Sequence, residues 1–369
     1  MRERIVFITV AALGIFIGNT AFCCTTFVME GAGRIYLGRN LDWDWENGMV
    51  FVNPRDIQKT AIVADIPDAA RWTSKYGSVT FNQLGREMPF GGMNEAGLAV
   101  ECMWLDGTLY PRPDARPEIN MLQWIQYQLD NCRTVADVIA TDKKIRLEDT
   151  PIRARIHYLV CDASGDCATI EFLDGAMRVH RGNELPYRAL ANDPYSSELA
   201  YLDANPEQKD DSQPLAQITS LSRFCRAATC AANFQPAKNP ANDIAYAFNV
   251  LNQVRQSGTV WQMVYDISSR KIFWRTYSNR KERCLDLKTV DFAPERQVRF
   301  ADIESNTSPQ DTLEFQNWTE TSERERVIPF VSQESFQQEV GDITPMLDRT
   351  LLLLRTYKVD DKAAKTGDN

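Results

Sequence analysis

Histidine is nearly missing from this chain: only two occur in 369 residues. His157 lies in the strand-like run Arg155-Ile156-His157-Tyr158-Leu159-Val160 and His180 lies near a turn, so both read as structural. A papain-like Cys–His pair would have to use one of them, and neither carries a local signature for that role. The nine cysteines follow no zinc-ligand spacing, and two histidines add little to any such set. No metal or other cofactor is expected. Long apolar runs are lacking as well. The extended one, residues 5–18, is uncharged but too short to span a bilayer comfortably. An excess of positive charge is also absent. The net charge is −9, which argues against nucleic acid and anionic membrane as partners. No internal repeat and no domain linker is visible.

What is present begins with a leader. Met1-Arg2-Glu3-Arg4 is a short charged start, residues 5–18 are the apolar middle, and Asn19-Thr20-Ala21-Phe22-Cys23 is a polar-to-small exit. Ala21 and Cys23 take the small-residue positions if cleavage precedes Cys24. Residues 1–23 therefore read as a signal peptide, and the protein as periplasmic or secreted, with no membrane contact after leader removal. The alternatives are an uncleaved anchor, or a lipoprotein with bulky Phe22 or Cys23 before the lipidated cysteine. Cys161 and Cys167 bracket Asp162-Ala163-Ser164-Gly165-Asp166 between two strand-like runs. In an exported protein they either close that hairpin as a disulfide or remain two half-buried thiols.

Directly after the leader comes the stretch that carries chemistry. Cys24-Thr25-Thr26-Phe27-Val28-Met29-Glu30, a Gly31-Ala32-Gly33 turn, and Arg34-Ile35-Tyr36-Leu37-Gly38-Arg39-Asn40-Leu41-Asp42 read as two strands joined by a hairpin. Leader removal makes Cys24 the N-terminus, with a thiol and an α-amine on one residue. The amine has a reference pKa near about 8 and the thiol near about 8.5, so a small perturbation lets the amine take the thiol proton. The second strand returns Arg39 and Asp42 towards Cys24. A cation beside the thiol favours thiolate, and a carboxylate can hold the amine.

These residues carry a family resemblance. Cys24-Thr25-Thr26-Phe27 after a leader, followed by Gly38-Arg39-Asn40-Leu41-Asp42-Trp43, resembles the choloylglycine hydrolases. That family comprises conjugated bile salt hydrolases, penicillin V acylases and related linear amide hydrolases. Four further stretches match in order. They are Gly92-Met93-Asn94-Glu95-Ala96-Gly97-Leu98, Leu190-Ala191-Asn192-Asp193-Pro194, Ser222-Arg223-Phe224-Cys225-Arg226, and the strand pair at 259–266 and 271–277. The resemblance implies an α+β fold, the four-layer αββα N-terminal-nucleophile hydrolase sandwich of two antiparallel sheets between helices. It implies a small-molecule amide substrate and a homo-oligomer, a tetramer by the family pattern. It assigns the oxyanion donors to the Asn192 side chain and the Trp104 backbone N–H, places the Trp104 side chain in the substrate pocket, and sets Arg223 near the nucleophile. Bile salt hydrolases have Asn at the position of Trp104 and penicillin V acylases have Tyr, so Trp104 leaves the acyl and amine groups unassigned. Ala191, where the family turn has Thr, is a second departure. Taken alone, these residues also permit ordinary readings: Trp104 as core, Asn192 in a common Asn–Pro turn, Arg223 as a solvated helix charge.

The remaining chain reads as follows. Residues 24–300 form the catalytic domain and 301–369 a C-terminal extension with a terminal helix and a disordered tail. Helices are expected at 121–130 and 134–144. Successive strands at 155–162, 167–174, 176–181 and 185–191 read as a meander. Leu221, Phe224, Cys225 and Ala228 form a helical core stripe with Arg223 off it. Residues 301–341 are polar with little periodicity, and 348–357 are helical. Three functions compete: a linear amide C–N hydrolase working through Cys24, an acyltransferase on the same fold, and a catalytically silent periplasmic binding protein.

Overall fold

A computed structural model describes residues 23–64, 66–148, 154–209, 218–305 and 313–360. The expected leader up to residue 22 and the expected tail from residue 361 lie outside the described residues.

The N-terminal hairpin forms as its sequence dictates. Thr25–Gly31 pairs antiparallel with Arg34–Asp42. Ala32 and Gly33 turn the chain at φ 51° and 71°, the two positive angles a tight two-residue hairpin requires. Thr259–Asp266, Lys271–Thr276 and Arg283–Asp286 extend this sheet beyond Arg34–Asp42, and Ala189–Leu190 closes its other edge, giving six strands. The second sheet has nine strands. Ser78–Asn82, Pro89–Asn94, Ala99–Trp104, Ile156–Cys161, Cys167–Leu173 and Ala176–Arg181 are consecutive neighbours, and Met49–Asn53, Arg299–Asp302 and Gln316–Asn317 continue past Ser78–Asn82.

The two sheets face each other. Phe81 of the second packs edge-on against Tyr265 and Trp274 of the first, with ring centroids 6.5 and 5.6 Å apart. Helices Ser220–Ala232 and Pro240–Gln253 cover the first sheet, and Met121–Asn131 covers the second on Pro89–Asn94 and Ala99–Trp104. The result is the expected helix–sheet–sheet–helix sandwich. Both faces of each sheet are covered, so the central strands are buried along their length rather than alternately. The helices start at side-chain caps: Asn120 accepts from Leu122 and Gln123, Thr219 and Ser222 cap each other's backbone, and Asn239 precedes Pro240. Among the described residues no helix is long and apolar enough to cross a membrane.

The structure departs from the sequence expectations in three places. The fourth meander strand shrinks to Ala189–Leu190 and pairs with Thr26 and Phe27 of the other sheet, not with Ala176–Arg181. The 3-10 turn Gly182–Glu184 and Pro186 interrupt the run, and the chain crosses from one sheet to the other. Residues 88–104 hold two strands, Pro89–Asn94 and Ala99–Trp104. Gly91 lies inside the first of them because a Cβ there would fall on the Glu101 carboxyl of the facing strand. Arg223 is fully buried even though it lies off the apolar stripe, because residues 222–231 of its helix are all buried. Finally, the 301–341 stretch contains the helices Glu320–Val331 and Glu334–Glu339; the helix expected at 348–357 is present, over Thr344–Leu354. These three pack as a second apolar cluster on Met49, Phe51 and Phe300. Cys161 and Cys167 sit directly opposite each other in their hairpin, with sulfurs 2.6 Å apart.

Candidate active site

Cys24 immediately precedes the first strand and is 4% exposed. Thr26 pairs with Arg39 across the hairpin, so the register brings the Arg39 guanidinium back to the cysteine. Arg39 Nη2 lies 3.8 Å from Cys24 Sγ and donates to the Cys102 carbonyl at 3.1 Å. Its Nε meets Glu101 Oε2 at 3.0 Å, and the Tyr265 hydroxyl donates to the other Glu101 oxygen. Burial works against the Arg39 charge, but Glu101 and then Cys24 more than offset it and hold the guanidinium protonated. Burial pushes the Cys24 thiol up, Arg39 pulls it down, and Asp42 pushes it up again. Burial likewise raises the Glu101 carboxyl, to about 7, against Arg39 and the Tyr265 donor.

Asp42 ends the second strand. Its carboxylate accepts from Gln256 Nε2 at 2.6 Å and from the Thr259 hydroxyl. Gln256 Nε2 also donates to the Cys23 carbonyl at 3.1 Å, so one amide ties Asp42 to the bond preceding Cys24. Burial raises the Asp42 carboxyl, opposed chiefly by Arg223.

Arg223 reaches in from its helix. Nη1 donates to the Cys24 carbonyl at 2.6 Å and to the Thr25 hydroxyl, and Nη2 donates to Asn192 Oδ1 at 2.7 Å. Asn192 Nδ2 donates to the Trp104 carbonyl at 2.8 Å. Residues from four separate stretches thus converge on one side of Cys24. The Asn192 turn is itself fixed at several points. Ser220 Oγ accepts from its N–H at 2.9 Å, and buried Glu198 accepts from the N–H groups of Ala191 and Asp193. His157 bridges Glu171 and the Ala191 carbonyl at 3.1 and 3.0 Å. That contact gives His157 a positioning task beside the turn. At Trp104 the neighbouring Leu105 N–H, one residue on, donates to the Arg155 carbonyl, and the indole Nε1 donates to Asp106 at 2.6 Å.

On its other side Cys24 opens into an apolar pocket. Leu41, Trp43, Met103, Trp104 and Ile156 line it, together with Val331, Phe336, Val340 and Leu347 from the C-terminal helical segment. Arg39 is its charged side chain. Asn120, also in the lining, is already engaged as a helix cap and as a donor to Ile62. The arrangement suits an uncharged acyl group in the pocket, with its carbonyl at Cys24 and the polar cluster around the scissile bond.

The structure brings Cys24, Arg39, Asp42, Asn192, Arg223 and Trp104 together. It adds Glu101, Gln256, Thr259 and Glu198, which sequence reasoning passed over. Glu101 left a signal, a lone acid inside the buried run Leu98-Ala99-Val100-Glu101-Cys102-Met103. Gln256 and Thr259 left none, since a glutamine and a threonine beside a turn are ordinary.

Comparison with known proteins gives the chain a family. The family of linear amide C–N hydrolases, choloylglycine hydrolase type, matches residues 23–305. A penicillin V acylase of Pectobacterium atrosepticum is 27% identical, with 74% of this chain and 83% of that protein covered. A bile salt hydrolase/transferase of Lactiplantibacillus plantarum is 22% identical, with 72% and 92% covered. Among solved structures, penicillin V acylase from Agrobacterium tumefaciens superposes with a TM-score of 0.68 at 26% identity, over 80% of this chain and all of that one. A mutant conjugated bile acid hydrolase from Clostridium perfringens shares the fold at TM-score 0.61 and 17% identity, over 80% and 96%. The chain belongs to the choloylglycine hydrolase family and is a linear amide C–N hydrolase.

Proposed function

We propose that this protein hydrolyses small N-acyl amides of the penicillin V or conjugated bile salt kind through Cys24, after removal of residues 1–23 during export to the periplasm or medium. The observation that carries the reading is the position of the Cys24 sulfur, between a cluster of buried polar groups and an apolar pocket.

Cleavage before Cys24 releases an α-amine where the Cys23 carbonyl is now held by Gln256, next to Asp42. Asp42 and Gln256 then orient that amine. It takes the thiol proton, and Arg39 stabilises the thiolate as it forms. The sulfur attacks the amide carbonyl, and the oxygen gains negative charge. Asn192 and the Trp104 N–H donate to it. The α-ammonium returns its proton to the leaving amine and the C–N bond breaks, which leaves a thioester on Cys24. Water, deprotonated by the same α-amine, attacks the thioester; the free acid departs and the thiol is restored. Arg223 fixes the Cys24 carbonyl and the Asn192 oxygen throughout.

The test joins two measurements on the exported protein. Mass spectrometry of its N-terminus should find Cys24 with a free amine. A panel of penicillin V, glycine- and taurine-conjugated bile salts and acyl-homoserine lactones should reveal at least one cleaved amide, with the free acid as product. An exported protein that keeps Cys23, or that cleaves a panel member equally well with Cys24 replaced by Ala, overturns the mechanism.

A further inference from the structure

The family match ends at residue 305, yet one wall of the pocket is made of residues beyond it. We propose that residues 318–360 are a specificity cap: three helices docked over Cys24 whose inner faces set how long and how apolar an acyl group the site accepts. The inference rests on the amide-hydrolase reading above and adds to it the class of acyl group, an uncharged chain long enough to reach the cap.

Each of the three helices sends side chains into the same pocket as the nucleophile. Val327 and Val331 come from Glu320–Val331, Phe336 from Glu334–Glu339, and Met346 and Leu347 from Thr344–Leu354. No Asp, Glu or Lys lines that wall, and its one polar member is Thr350. The cap also touches the nucleophile hairpin. Trp43, the residue after Asp42, packs against Phe330 and Phe336 with ring centroids 6.2 and 6.5 Å apart. An acyl group on Cys24 that extends past Trp43 must therefore run along cap side chains.

The cap is anchored at both ends, as a wall of a binding site must be. At its start, Trp318 N–H donates to the Val298 carbonyl at 2.8 Å. At its end, Lys358–Val359 adds as a strand to Ile57–Thr60, and the Tyr357 hydroxyl donates to the Thr60 carbonyl at 2.6 Å. Arg86 joins the two ends, with its guanidinium 5.0 Å from the Trp318 ring and 5.3 Å from the Tyr357 ring. The Arg86 N–H donates to buried Glu323 at 2.7 Å. Leu84 and Met88, on the same loop as Arg86, line the pocket. Anchor and pocket are thus one structure.

Chain-length selectivity is the property to measure. Burying one methylene against such a wall is worth up to about fourfold in kcat/KM. The full-length exported protein is assayed with butanoyl, octanoyl and dodecanoyl amides of 7-amino-4-methylcoumarin. The expected result is a rate constant that climbs with chain length in the wild type. The dodecanoyl-to-butanoyl ratio should fall at least about tenfold in Val340→Asp and in Met346→Asp, mostly through KM, and severalfold in Phe336→Ala, which keeps the wall apolar. Leu352→Asp, on the exposed outer face, should leave the ratio where it was. Equal losses for all three probes in the inner-face variants would make the cap mere scaffold and overturn the proposal. Calorimetric binding of dodecanoyl- and butanoyl-glycine to Cys24→Ala protein, with and without Val340→Asp, separates the two readings. Long-chain binding that the cap variant abolishes upholds the cap even if no amide is cleaved. Equal binding of both ligands in both proteins removes it.

Discussion

On the hairpin side of Cys24, each of Arg39, Asp42, Asn192 and Arg223 is fixed by at least two polar partners within 3.1 Å or an ion pair. On the cap side, Val331, Phe336 and Leu347 are fixed only by the area they bury. The two sides tolerate error differently. A donor displaced by an ångström no longer meets the developing charge, so polar substitutions there should cost rate. An apolar wall is non-directional, so a change of shape should alter which acyl group fits while the chemistry survives.

The sharpest break in this comparison is at the nucleophile. Cys24→Ala should reduce turnover to background while the melting temperature stays close to that of the wild type, because only a small side chain is lost at the mouth of a strand. Cys24→Ser should also be severely impaired, since an alkoxide is far harder to form than a thiolate. Substantial amidase activity in Cys24→Ala would move the chemistry away from the hairpin altogether.

A smaller effect separates directional from shape-dependent residues at one place. Asn192 and Trp104 are joined by a hydrogen bond but should respond in opposite ways. Asn192→Ala removes a side-chain donor and should lower kcat by about 10²–10³, the usual cost of one oxyanion donor. Trp104→Tyr leaves the backbone N–H in place and should shift acyl preference while the rate on the best substrate persists. If Asn192→Ala is nearly silent and Trp104→Tyr instead lowers the melting temperature by several degrees, Asn192 is a turn former and Trp104 is core.

The contrast also explains what could be read from sequence. The polar side was legible because its chemistry is concentrated: Cys24, Arg39 and Asp42 lie on one hairpin whose register is set by a two-residue turn. Asn192 and Arg223 were legible through short motifs. Their convergence on Cys24 was legible only through the family resemblance, because it depends on the chain leaving Ala176–Arg181 and joining the opposite sheet at Ala189–Leu190. The third cap helix was legible at 348–357, but the first was hidden for local reasons. In Glu320–Val331 the buried Val327, Phe330 and Val331 do follow helical spacing, but Pro329 lies among them and charged residues surround them. Its capping pair is Thr319 with Ser322, without the acid or amide at the third helical position that makes such a box conspicuous. A segment held by buried area carries no motif to find.

The smallest expected effect tests Glu323, a buried titratable anchor of the cap, against the rest of the molecule. Glu323 is fully buried and accepts from the Trp318 indole and the Arg86 N–H at 2.7 Å each. Burial pushes its carboxyl up from 4.5 to about 7; the Trp318 and Arg86 donors and the Arg86 charge oppose the rise, and Glu87 adds to it. Between those two values the folded protein holds a proton that the unfolded chain has released. Stability from this group is therefore present at low pH and lost as pH rises through about 7, by up to about 3 kcal/mol at the limit set by the size of the shift. Glu101 and Asp130 are also raised and add to the same downward slope, so the wild-type curve alone cannot isolate Glu323. The difference between two proteins can. Glu323→Gln removes the titration and keeps an oxygen for Arg86, at the cost of turning an amide donor towards the indole. Its melting temperature should fall furthest below the wild type near pH 5, and the gap should narrow by several degrees by pH 8. Parallel curves over that range would mean that Glu323 stays ionised in the fold, and that Arg86 and Trp318 outweigh its burial.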